Sequence, residues 1–113
     1  MVFIPRLPKL PNDIGWGKLN RFYESKKWIV SISRHFIGKG PSEPLQKSIV
    51  TFVRQSSREP DLDNNYASVK PVLDSLKKCG IIADDSPKHV DLRVTWLKSG
   101  NKDKGLIISI DEI

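Results

Sequence analysis

At 113 residues, 38% hydrophobic and 28% charged, the chain has the composition of one soluble globular domain with room for a single core. No apolar run approaches the roughly 18 residues that cross a bilayer, and the opening MVFIPRLPKLP lacks a charged start followed by an unbroken apolar stretch, so neither membrane insertion nor secretion is expected. The net charge of +6 is uneven: residues 1–60 hold 11 Lys and Arg against 4 Asp and Glu, and residues 61–113 hold 8 against 9. Such a balance fits a phosphate-gripping protein with a cation-binding centre, or simply a solvated basic face.

In chain order, MVFI reads as a short strand, followed by an extended entry loop punctuated by Pro5, Pro8 and Pro11. WGKLNRFYESKKWIVSISRHF follows helical spacing through Leu19, Phe22, Tyr23, Ile29 and Val30, although the β-branched WIVSIS also suits a strand. IGKGPSEP is a loop by its Gly and Pro content, and QKSIVTFVRQ alternates as a strand. Val69, Val72, Leu73 and Leu76 form an i, i+3, i+4, i+7 stripe that ends in two lysines and Gly80, with Pro71 in the first turn and Lys70 biased away from helical dihedrals. VDLRVTW sets Val90, Leu92, Val94 and Trp96 on one side, and KGLIISIDEI is a last strand reached through the turn SGNKDKG. The order strand, helix, strand, helix, strand, strand predicts an α+β domain in which a mixed sheet packs with two helices.

The chemistry-bearing residues are aspartates. In an extended PDLDNN, Asp61 and Asp63 present carboxylates to one face, and such a pair repels unless a cation or proton sits between. Mg2+ takes one or two carboxylates plus water and phosphate, whereas Asp and Asn are also the ordinary residues of a helix cap and turn. An EF-hand is excluded, because Tyr66 stands where its loop needs Gly and Val72 where it needs Glu. A helix from Pro71 to Cys79 is about 13 Å long. The extended run from Ile81 to Asp85 reaches back about 16 Å, which permits one of Asp84 and Asp85 to join the first pair without demanding it. His35 and His89 have no spaced partner, and the lone Cys79 suggests core filling in a reducing, cytosolic protein.

Asp61-Leu62-Asp63-Asn64, Lys70, Leu73-Asp74-Ser75-Leu76, Gly80-Ile81 and Asp84-Asp85, in that order and followed by a strand, resemble the core of the RusA-type Holliday-junction resolvases. These are small crossover-junction endodeoxyribonucleases common in phages and prophages. The resemblance covers about 35 residues, with WGKLNRFYESKKW similar to the family's basic N-terminal helix. It implies a homodimer acting on branched, four-way DNA, with Mg2+ (or Mn2+) held by Asp61, Asp63 and Asp85, no small-molecule cofactor, and Lys70 as the essential lysine. The metal would polarise the scissile phosphate and activate a water, while Lys70 offsets negative charge in the transition state. The sequence departs from the family's shorter form by a three-residue insertion after Asn64, and the arginine run before D-x-D is reduced to Arg58. Lys18, Arg21, Lys26, Lys27, Lys39 and Arg58 are the candidates for DNA contacts. Trp16, Trp28 and Trp96 are expected to pack, and Asp74 and Asp91 to lie on the surface.

Overall fold

A computed structural model describes residues 1–10 and 18–113, and the side chains of 1–10 and 22–113. Its elements are β1 (Val2–Ile4), α1 (Lys18–His35), β2 (Ser48–Ser56), α2 (Leu62–Ser68), α3 (Lys70–Lys78), β3 (Val90–Lys98) and β4 (Gly105–Glu112). The four strands form one mixed sheet in the order β1-β4-β2-β3, with β2 and β3 parallel and the other pairs antiparallel. This is the expected α+β architecture. No helix among the described residues is long and apolar enough to cross a membrane.

One face of the sheet carries the core. Val50 and Phe52 of β2, Leu106 and Ile108 of β4, Val90 and Val94 of β3, and Val2 and Ile4 of β1 are buried against Trp28 and Ile32 of α1 and Val72 and Leu76 of α3. Strict alternation along β2 follows from the two-residue period of a strand. The ambiguous WIVSIS is helical: Trp28 and Ile32 lie one turn apart, which puts both on the buried side of α1.

The second helical region is longer than the apolar stripe. α2 precedes α3, separated from it by Val69 alone, so Lys70 is helical in spite of the proline that follows it. Asn65 ties α2 to the sheet, donating Nδ2–H to the Thr95 carbonyl at 3.3 Å from a buried position, a tertiary contact that no local pattern reveals. α3 ends as expected. Gly80 adopts φ +75, its N–H donates to Lys77 O at 3.0 Å, and Ile81 N–H donates to Leu76 O at 3.0 Å, the paired bonds of a Schellman cap.

β3 and β4 are not a hairpin. They flank β2, and the connection arches over its end, where Gln55 Nε2 donates to Asp103 O at 2.7 Å and Ser99 N to Ser56 O at 2.9 Å.

Candidate functional site

Parallel pairing of β2 with β3 requires a crossover, and α2–α3 is that crossover. Its start and its finish therefore lie at opposite ends of the sheet, and this decides where the aspartates go.

Asp61 follows the C-terminal end of β2 and occupies the N-cap position of α2, with φ −60 and ψ 144. Its carbonyl accepts Asn65 N–H at 2.9 Å, but its exposed carboxylate makes no capping bond. Asp63 is already inside the helix, where Oδ1 accepts the Asn64 N–H at 3.0 Å. The expectation of an extended segment presenting both carboxylates to one face is corrected here. The helix begins at Leu62, and positions two apart on a helix do not face one another. Asp61 opens instead on a cleft of about 440 Å³ lined by Leu7, Arg54, Ser56, Arg58 and Asn64. Lys70 is exposed in the first turn of α3, beyond the seven residues of α2, roughly 10 Å of helix.

Asp84 and Asp85 lie at the other end. Ala83 N–H donates to Leu45 O at 2.9 Å, Val90 N–H to Ser86 O at 3.0 Å, and Val90 pairs with Ser48 at the start of β2. β2 has nine residues, so the sheet separates this end from Asp61 by roughly 26 Å. The return of Ile81–Asp85 along α3 that the chain length permits does not occur. Ile81 and Ile82 are drawn into the core, where Ile82 bridges Leu45. Asp84 is held by Lys77 at 3.2 Å. That hydrogen-bonded pair keeps the Asp84 carboxyl below the usual aspartate range and raises the Lys77 ammonium above the usual lysine range. Asp85 is exposed, and its N–H donates to Asp84 Oδ1 at 2.9 Å. Among the described residues no three Asp, Glu, His or Cys side chains stand together in a way that holds a metal ion. The structure does not bring Asp61, Asp63 and Asp85 together within a single chain.

The basic candidates separate in the same way. Lys26 and Lys27 are exposed on α1, Lys39 is exposed beyond its end, and Arg58 is exposed at the Asp61 cleft. The side chains of Lys18 and Arg21, and Trp16 entirely, lie outside the described residues. Trp28 is fully buried, and the half-buried Trp96 donates Nε1–H to Ser56 Oγ at 3.0 Å. His35 and His89 turn Nδ1 to the carbonyls of Ser31 (2.8 Å) and Gln46 (2.7 Å). A carbonyl only accepts, so each Nδ1 carries the proton. Cys79 packs beside the core with Sγ 3.8 Å from Ser33 Oγ. Asp74 and Asp91 are paired on the surface with Lys78 and Arg93, each at 3.1 Å.

Two buried charged residues that no sequence motif marks both anchor the proline-rich entry loop. Glu24 binds Trp28 Nε1, Lys9 N and Arg6, and Arg54 donates to Pro8 O at 2.6 Å. The signal for Arg54 was its parity, because it shares the inward side of β2 with Val50 and Phe52.

Comparison of the sequence with models of protein families, and with curated proteins, gives no match.

Proposed function

We propose that the chain is a homodimeric, Mg2+-dependent endodeoxyribonuclease of the RusA type that resolves four-way DNA junctions by paired nicks in the cytoplasm. The observation that supports it best is the ordered motif set Asp61-Leu62-Asp63-Asn64, Lys70, Gly80-Ile81 and Asp84-Asp85, carried on one β2–α2–α3–β3 crossover. The uncommitted Asp61 carboxylate at the mouth of an arginine-containing cleft agrees with it. Arg58 supplies grip on the DNA backbone there, and Lys70 offsets charge on the phosphate.

The homodimer has a specific purpose in this reading. One chain keeps Asp85 far from Asp61, so a second copy packed antiparallel to the first is what would bring an Asp85 to each Asp61 and Asp63. Mg2+ bound there would supply polarisation of the scissile phosphate and a water of lowered pKa.

The separation of the aspartates favours a second reading, in which the same fold binds branched DNA without cutting it. Asp61→Asn tests both. The nuclease reading expects loss of Mg2+-dependent cleavage of a synthetic four-way junction with binding in EDTA retained. Undiminished cleavage by that variant overturns the site. A wild type that binds junctions and never cuts them with Mg2+ or Mn2+ leaves the binding module.

A further inference from the structure

The outward side of α1 is left unexplained by folding and by the aspartate site. Phe22 and Tyr23 are 52% and 54% exposed although the apolar side of the helix is already filled by Trp28 and Ile32. At about 100° per residue, Phe22, Tyr23, Lys26, Lys27, Val30 and Arg34 all fall within an arc of about 140°, and all are exposed. The two rings meet edge-to-face with centroids 5.8 Å apart, and Lys26 Nζ stands 4.6 Å over the Phe22 ring. The one acidic residue among the described side chains of this helix, Glu24, is buried at 4% exposure. Among its described side chains the exposed surface of α1 is therefore aromatic and cationic, with no carboxylate of its own.

We infer that this face of α1 is a stacking platform for unpaired bases, Phe22 and Tyr23 taking the bases while Lys26, Lys27 and Arg34 take the flanking phosphates. Charge complementarity selects a polyanion. The rings select one with accessible π-faces, because every base stacks and the bases of an intact duplex are already stacked on each other. An anionic membrane fits less well. Its helices bury a continuous apolar side, and here Lys26 and Lys27 interrupt the outer side while the sheet occupies the inner one. A base arriving on Phe22 replaces the Lys26 ammonium, which moves to the adjacent phosphate. The inference deepens the proposed function and rests on it, since the base pairs at the centre of an open junction are not stacked on one another across the crossover, which leaves their faces uncovered and makes them the easiest to open.

The test is anisotropy binding of the full chain in EDTA to a labelled single-stranded oligo-dT, to a blunt duplex and to phosphatidylserine vesicles. Removal of both rings (Phe22→Ala with Tyr23→Ala) is expected to weaken oligo-dT binding by at least about 30-fold. The same double variant should change duplex binding less than twofold and leave the salt slope unaltered. Lys26→Gln with Lys27→Gln is expected to reduce that slope for single strands by about 1.4. Both pairs are exposed, so an unchanged thermal midpoint certifies the fold. Oligo-dT binding that ignores the rings, or that falls in step with duplex binding, overturns the inference alone. A wild type that binds vesicles but no DNA overturns the inference together with the proposed function.

Discussion

Glu24 Oε1 accepts the indole N–H of Trp28 at 3.0 Å, one turn along α1, where both side chains are buried. The same carboxylate takes Lys9 N–H at 3.3 Å and Arg6 at 3.4 Å, and the Arg6 guanidinium lies 5.0 Å from the Trp28 ring centre. A buried charge thus ties β1 and its proline-rich continuation to the helix that covers the sheet. Losing it leaves the indole N–H without its partner, so Glu24→Ala is expected to lower stability by about 2–3 kcal/mol. Glu24→Gln, which keeps an acceptor, should cost less. Urea denaturation at constant m-value measures both.

Two glycines should respond differently to alanine. Gly80 has φ +75 with nothing near a would-be Cβ, so Gly80→Ala carries only the dihedral penalty, about 1 kcal/mol. At Gly105 a Cβ would stand 2.6 Å from Ile4 O and clash with the edge of the Phe3 ring, so β1 must move away from β4. Gly105→Ala is expected to cost more, about 2–3 kcal/mol. Equal losses in chemical denaturation would contradict this close approach.

The Lys77–Asp84 pair is exposed and its signature is a titration. The Asp84 carboxyl is depressed, so its contribution is complete above the unfolded-state aspartate pKa and disappears as pH falls through the lower folded value. NMR should show Asp84 titrating below the ordinary aspartate value, and Lys77→Gln should return it toward that value. An unmoved Asp84 titration in the variant would show that the bridge is not formed in solution.

Subunit mixing distinguishes a shared metal site from one contained in a single chain. Asp61→Asn and Asp85→Asn should each reduce junction cleavage by at least about a hundredfold. Co-refolding the two inactive chains should restore nicking if Asp85 acts on the other copy's Asp61, because one of the two sites in such a heterodimer keeps every carboxylate. No recovery from the mixture, with both parents inactive, would place the whole site in one chain.

Much of the fold was legible because its elements carry local periodicity. The two-residue alternation of β2 and β3, the stripe from Val69 to Leu76, and the Gly80 cap each depend on neighbours in sequence, and each appears as expected. α2 was not legible in the residues, since Leu62–Ser68 has no apolar stripe and its buried Asn65 finds its partner thirty positions away, at Thr95. The inward Arg54 and Glu24 likewise find their partners in the entry loop, up to 46 positions away.

By itself the sequence determined the order of charges: a basic first half, a D-x-D-N, and an acidic pair twenty-odd residues later. Spacing left open whether the pairs meet, since a chain that doubles back and a chain that crosses over have the same length. The tertiary structure decided it. Parallel β2 and β3 force α2–α3 to travel the length of the sheet, and burial of Ile81 and Ile82 with the Lys77 bridge holds Asp84 and Asp85 at the far end. Strand direction is set by the shared core, which no local stretch contains.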